Sequence, residues 1–364
     1  MIFQNVKKIL VLKLCCLGDM VFILPAIANL KKNFPEAKIT LISSSWVKNI
    51  YKYIPDVNNF LIFDPPFKGG FIDKISSAYK LIRLIRKDKF DLALSCHRDS
   101  SFGTILMLSG IRYRLGFKNT SFINYYSEYD DSVHETIRYL KVLKENGLET
   151  TETEPKLNRI RSIESVKTKN DLKADSAIIG IFPFGGINPG TTMKIKRWDL
   201  KNYFKLIEII LSEYPEYTII LFEGTHDDEK FDNDIKLNDN IKIHPIIDND
   251  LMYSCNVFIS ADTGALHLAA AFGINTIGLF GPSDPRLVAP LNYKKEIVHK
   301  NIWKQPGCSP CYTPQTAIDR NNKTYYKGNE FICNTGTHEC MKNISVEEVF
   351  ISLKEILEKI NNTK

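Results

Sequence analysis

Along the first 120 residues, short and nearly uninterrupted apolar runs alternate with longer segments of helical periodicity. Residues 8–14 (KILVLKL) form the first run. A run that short, rich in branched residues, predicts a strand buried on both faces. A helix is predicted over 20–33, where Pro25 forces a kink or an early first turn because it lacks an N–H. Further strands are predicted at 38–42 (KITLI), 59–63 and 91–95 (DLALS). Between the last two, Ile72, Ile75, Tyr79, Ile82 and Ile85 recur at helical spacing, with Lys74, Lys80, Arg83, Arg86 and Lys87 on the other faces. That stripe reads as a core face; leaning on anionic lipid is the alternative.

Between about 149 and 175 the composition shifts to Thr, Glu, Lys and Asn, as in a linker or edge segment between domains. The alternation then restarts, with strands predicted at 177–182, 218–222, 257–260 and 276–280 and helices at 200–214 and 266–272. Ser345 followed three residues later by Glu348 announces a last helix over 345–360. Strand–helix–strand repetition predicts parallel sheets covered by helices. The expected division is an N-terminal domain over 1–165, a second over 175–344 and a terminal helix over 345–364. Two such α/β domains place their ligand in a cleft at the C-terminal ends of their strands, so residues just past each strand are where chemistry is expected.

The chain has 364 residues, 44% hydrophobic and 25% charged, which excludes a disordered or collagen-like chain. With 48 Lys+Arg against 42 Asp+Glu the net charge is +6. Nucleic-acid binding asks for a denser basic face than that. An anionic substrate or membrane surface fits, as does ordinary solvated charge. Lys7 and Lys8 precede an apolar run as in a signal peptide, but Lys13 and Asp19 interrupt it and no cleavage site closes it. No stretch reaches the ~18 uninterrupted apolar residues of a spanning helix. Cys15, Cys16, Cys96 and Cys255 show no framework spacing and read as buried thiols of a reducing compartment, so a cytoplasmic protein is expected.

Four segments follow predicted strands and carry chemistry. Gly18-Asp19 places a carboxylate past a glycine turn at a helix start, as a general base or merely as a helix cap. A dinucleotide fingerprint is excluded, since no G-x-G-x-x-G stands there. The segment 182–190 (FPFGGINPG), then Thr191, Thr192, Lys196, Arg197 and Trp198, offers backbone amides and positive charge to a phosphate, or is a flexible basic loop. Residues 222–228 (FEGTHDD) offer carboxylates to ribose hydroxyls, or form a solvated turn. In 260–273, Asp262, Thr263 and Gly264 precede a helix whose first amides would attract a diphosphate, while His267 alone reads as a core histidine.

Taken together, Lys13-Leu-Cys-Cys-Leu-Gly-Asp19 with Leu24-Pro-Ala26, Lys196-Arg-Trp198, Asp262-Thr-Gly-Ala-Leu-His267 and Phe280-Gly-Pro-Ser-Asp-Pro285 resemble glycosyltransferase family nine, the bacterial ADP-heptose:lipopolysaccharide heptosyltransferases. The resemblance implies a GT-B fold, two Rossmann-like domains facing each other across a cleft. It implies an inverting sugar transfer for which no cofactor or metal is required. The family's base maps onto Asp19 and its phosphate-stabilising lysine onto Lys196. On the donor side the correspondence takes in Gly18, Thr191, Thr192, Asp227 at the ribose, Asp262, Thr263, Gly264 and His267. The implied partners are a nucleotide-sugar, ADP-heptose, and an anionic oligosaccharide carried on lipid A, with peripheral contact at the cytoplasmic face of the inner membrane.

Basic residues past first-domain strands are the acceptor candidates: His97 and Arg98, then Arg112 and Arg114; a surface ion pair is the commoner use of either arginine. Cys308, Cys311, Cys333 and Cys340 form two clusters that could close a structural zinc site; disulfides or buried thiols are the alternatives. Asp248-Asn-Asp250 has the letters of a metal motif but precedes a helix on the expected outer side.

Overall fold

The computed structural model describes residues 2–65, 70–188, 190–231 and 239–363. The chain divides into compact units Met1–Asn158 and Arg159–Lys364. In the first, β1 (Lys8–Lys13), β2 (Lys38–Ser43), β3 (Asn59–Ile62), β4 (Leu92–Ser95), β5 (Tyr113–Phe117) and β6 (Tyr125–Ser127) make one sheet in the order β3-β2-β1-β4-β5-β6. Every neighbouring pair is parallel, with Leu12 opposite Ile42 on one side and Ser95 on the other. The central strands are buried on both faces because helices cover the sheet, which is why their sequences run apolar without alternating.

The predicted helix over 20–33 is two helices, Leu17–Phe22 and Leu24–Asn33, broken at Ile23. Pro25 sits in the first turn of the second, where its missing N–H leaves no intrahelical bond unmade. The polar stretch after 149 begins along this helix: Asn33 exchanges hydrogen bonds with the Glu149 backbone and Asn29 with the Glu152 backbone. Its later part holds a helix, Ile163–Lys169, capped by Ser162.

The helix Phe71–Arg86 corrects one expectation. Only Leu81 and Ile85 are buried along it, while Phe71 and Ile72 are 79% and 81% exposed and Ile75 and Tyr79 are exposed too. The first half of the apolar stripe is therefore not a core face. Periodicity records the spacing of a stripe and not whether another element covers it.

In the second unit β7 (Ile178–Phe182) is followed by the short strands β8 (Ile187–Asn188) and β9 (Thr191–Thr192). Then come β10 (Thr218–Glu223), β11 (Ile241–Pro245), β12 (Val257–Ala261), β13 (Asn275–Phe280), β14 (His299–Trp303), β15 (Tyr326–Lys327) and β16 (Glu330–Phe331). The main sheet runs β11-β10-β7-β12-β13-β14, again all parallel. In both sheets the strand order thus reverses beside the first strand, after β1 and β7, and in such sheets ligands bind at the C-terminal strand ends at that point. A small sheet, β15-β16-β9-β8, stands apart. The last helix, Val346–Thr363, starts from a reciprocal cap: Glu348 N–H donates to Ser345 Oγ at 3.2 Å, and Ser345 N–H to Glu348 Oε2 at 3.1 Å.

Candidate active site

In the first unit the chain leaves β1 at Lys13 and enters the helix Leu17–Phe22 at once, so Asp19 lies in that helix's first turn. Cys16 holds the N-cap position and makes no side-chain cap bond, so Asp19 is not a cap. Its carboxylate takes two thiol donors and an ion pair instead. The thiols of Cys15 and Cys16 donate to Oδ2 at 2.5 and 3.0 Å, and the Lys13 ammonium stands 3.7 Å from Oδ1. Burial by itself raises the Asp19 pKa, but Lys13 and the two thiols outweigh it and hold the carboxyl below its usual range. The group is an ionised carboxylate at neutral pH.

Lys13 is buried and is itself held in place. Its Nζ donates to Tyr139 Oη at 2.8 Å, and Tyr139 donates to Glu135 at 2.9 Å from one turn along the same helix. Arg138 closes the chain on Glu135. Burial would lower the Lys13 pKa, yet Asp19 and its other neighbours carry it well above the ordinary lysine value. The pair Lys13–Asp19 is therefore ionised on both sides. Cys16 is pushed well up by its hydrogen bond with Cys15, then by burial and Asp19.

The expectation for His97 is corrected. Its Nε2 accepts the Leu14 N–H at 2.9 Å, and its ring stacks on Phe102 at 4.1 Å. Burial and the nearby Lys13 push its pKa down to about 3, so it is a neutral acceptor that fixes the end of β1 and no cation for a substrate. Arg98 lies over the Tyr129 ring at 4.3 Å, with Arg138 at 4.8 Å from the same ring. Arg114 is committed to its own loop: Nε donates to Phe122 O at 2.7 Å and Nη1 to Ile111 O at 2.5 Å. Arg112 is exposed and lies over Tyr113 at 4.9 Å.

In the second unit Asp262 follows β12 and stands beside β7 at the reversal point. Lys196 Nζ lies 2.6 Å from its Oδ2, and His267 Nε2 lies 3.2 Å from its Oδ1; Asp262 and His267 are buried and Lys196 is partly so. Burial raises the Asp262 pKa, but Lys196 and His267 more than reverse that and keep it ionised. Thr263 caps the helix Gly264–Ala271 without a side-chain cap bond, so that helix offers its first amides and its positive dipole end past β12. Thr263 Oγ1 lies 3.1 Å from Ser260 Oγ instead.

The glycine segment approaches the same helix. Gly185 has φ +97°, and a Cβ there would fall 2.7 Å from Thr263 Cγ2. Its N–H donates to Glu229 Oε1 at 2.9 Å and its carbonyl accepts from Arg197 Nε at 2.8 Å. The pattern of residues gave no signal for Glu229. The side chain of Asp227 lies outside the described residues. Thr191 and Thr192 belong to the β8–β9 ladder, with Thr192 N–H donating to Asn329 O at 2.8 Å.

The block Phe280–Pro285 acts through a residue the sequence did not point to. The Gly281 carbonyl accepts from Ser309 Oγ at 2.6 Å, and the Pro282 carbonyl accepts from the N–H groups of Cys311 and Tyr312. These bonds hold Tyr312, whose ring lies 5.0 Å from Lys196 Nζ. Asp248 caps the helix Asn249–Tyr253 by accepting from Leu251 N–H at 3.1 Å.

Cys308, Cys311, Cys333 and Cys340 are all free thiols. Cys311 and Cys340 are each pushed up to about 11, by burial first and then by neighbouring thiols of the group. Among the described residues, however, the only three metal-ligating side chains whose donor atoms all lie within 4.8 Å of one another are Cys15, Cys16 and Asp19. No helix among the described residues is long and apolar enough to cross a membrane.

The profile of glycosyltransferase family 9 (heptosyltransferase) matches residues 78–316. The lipooligosaccharide heptosyltransferase 2 of Campylobacter jejuni subsp. jejuni serotype O:2 is 25% identical over 357 residues, covering 94% of this chain and 95% of that protein. Among solved structures, a family 9 glycosyl transferase from Veillonella parvula superposes with TM-score 0.74 at 18% identity, covering 99% of both chains. The E. coli ADP-heptose lps heptosyltransferase II superposes with TM-score 0.72 at 20% identity, covering 97% of this chain and 99% of that one.

Proposed function

The chain belongs to glycosyltransferase family 9, the heptosyltransferases, and from that premise we propose an inverting transfer of a heptose from ADP-heptose to the inner core of a lipopolysaccharide. It is a glycosyltransferase with two doubly wound α/β units of the GT-B type. The similar heptosyltransferases, one of which is named for ADP-heptose, support this donor. The observation that carries the mechanism is the pair of ionised carboxylates, Asp19 and Asp262, each held at its sheet's reversal point in a different setting.

Asp19 Oδ takes the proton of the acceptor hydroxyl as that oxygen attacks the anomeric carbon. The bond from that carbon to the diphosphate breaks in the same step, so the configuration inverts. The leaving diphosphate gains charge, and the first amides of the helix Gly264–Ala271 with Lys196 stabilise it. Each such preorganised donor contributes about 3 kcal/mol of transition-state stabilisation. Metal is not needed under this reading, since fixed positive groups already stand where the charge develops. Asp262, itself held by His267, orients Lys196, and on this reading lies near the sugar.

The acceptor is carried on lipid, and the exposed apolar face of Phe71, Ile72, Ile75 and Tyr79 beside Lys74, Lys80 and Arg83 supports peripheral contact with an anionic bilayer. Arg98 and Arg112 remain the acceptor-side cations, since Arg114 is occupied by its loop. A structural zinc on Cys308, Cys311, Cys333 and Cys340 would pin the segment that carries Tyr312 and takes no part in the transfer.

Calorimetric titration of the protein with ADP, UDP and GDP under identical conditions tests the donor. Preference for ADP is expected. Preference for UDP or GDP overturns the heptose donor, and binding of none of the three overturns the donor site.

A further inference from the structure

We propose that Cys15, Cys16 and Asp19 form a zinc-binding site, and that filling it silences the transfer. Silencing rests on the reading of Asp19 as the base; binding does not. The two thiols already point at one carboxylate oxygen, at 2.5 and 3.0 Å, and the three donor atoms lie within 4.8 Å of each other. At the usual zinc–sulfur distance of about 2.3 Å and zinc–oxygen distance of about 2.0–2.2 Å, two ligand atoms of one tetrahedral ion stand roughly 3.5–3.8 Å apart. Small side-chain rotations reach that spacing, because all three residues stand around one helical turn.

Zinc takes cysteine as thiolate, so binding would release the thiol protons to solvent. The Lys13 ammonium stands 3.7 Å from Asp19 Oδ1, beside the donor set. Thiolates with a carboxylate suit zinc, and three protein ligands leave a fourth position for water. A carboxylate oxygen bound to zinc no longer accepts a proton from an acceptor hydroxyl.

The direct test uses the full chain with added zinc chloride. Alkylation of each cysteine by iodoacetamide is followed by peptide mass spectrometry, with and without zinc, and transfer is assayed on the same samples. Zinc should protect Cys15 and Cys16, and transfer should fall by roughly the hundredfold scale of a lost general base. A chelator should restore both. In Cys15→Ser/Cys16→Ser, whose hydroxyls can still donate to Asp19, whatever transfer remains should be insensitive to zinc. Unchanged labelling of Cys15 and Cys16 overturns the site, and that experiment needs no variant. Protection with undiminished transfer keeps the site and overturns Asp19 as base. Equal zinc inhibition of the wild-type protein and the double variant places the inhibitory ion elsewhere and overturns the silencing.

Discussion

Lys196 and Asp262 meet at 2.6 Å, with 13% and 7% of their side chains exposed, so this ion pair is screened by protein on nearly every side. Removing one member of a buried pair strands the other charge, which costs about 3–5 kcal/mol. Lys196→Met should therefore lower stability by that order and weaken binding of the nucleoside diphosphate. Lys196→Met/Asp262→Asn should recover much of the stability and none of the affinity. Thermal unfolding and calorimetry on both variants check this. Recovery of affinity in the double variant would contradict a role for Lys196 at the diphosphate.

Gly185 is needed for its backbone. Its φ of +97° disfavours any side chain, and a methyl group would press Thr263 Cγ2 at 2.7 Å. Gly185→Ala should destabilise by about 1–3 kcal/mol. It should also weaken diphosphate binding, because Thr263 caps the helix that presents the amides. Chemical denaturation and nucleotide titration measure the two effects separately.

His299 sets an acid limit on the second unit. It is buried, its Nδ1 lies 2.8 Å from Thr276 Oγ1, and burial pushes its pKa from 6.5 down to about 4. Between those values the unfolded chain binds the proton and the folded one does not. Stability is then lost as pH falls from about 6.5 to about 4, by an amount on the order of 3 kcal/mol. His299→Gln should flatten that slope in denaturation curves recorded across the interval; an unchanged slope would remove His299 as its source.

The helix Phe71–Arg86 should carry the protein to anionic bilayers. Ile72→Glu/Ile75→Glu, at two exposed positions, should reduce co-sedimentation with phosphatidylglycerol vesicles by roughly tenfold or more. Transfer to a short water-soluble acceptor should be unaffected. Equal vesicle binding by the variant and the parent would exclude this face.

Much of both sheets is legible because their central strands, such as β1 and β7, are covered on both sides and so read as apolar runs. Of the edge strands, β3 is legible at 59–63, but β11 and β14 are not. His299-Lys-Asn-Ile-Trp303 and Ile241-Lys-Ile-His-Pro245 are only partly buried, and their polar residues hide the strand. Asp19, Lys196 and Asp262 are legible because each follows a strand or glycine turn in a recognisable motif. Tyr139, Glu135 and Tyr312 are not, since what joins them to Lys13 and Lys196 is tertiary packing across 126 residues in the case of Tyr139. The contact of Cys15 and Cys16 with Asp19 is not legible in the sequence either, because it depends on the turn from β1 into the helix Leu17–Phe22, which Cys16 caps.

The central claim is that Asp19 is the base, and the most direct measurement is transfer of a labelled heptose from ADP-heptose by Asp19→Asn. The substitution keeps the shape of the side chain and removes its charge. A fall of roughly 10²–10⁴-fold in turnover, with ADP affinity unchanged, is the result predicted. Turnover equal to that of the parent protein would contradict it.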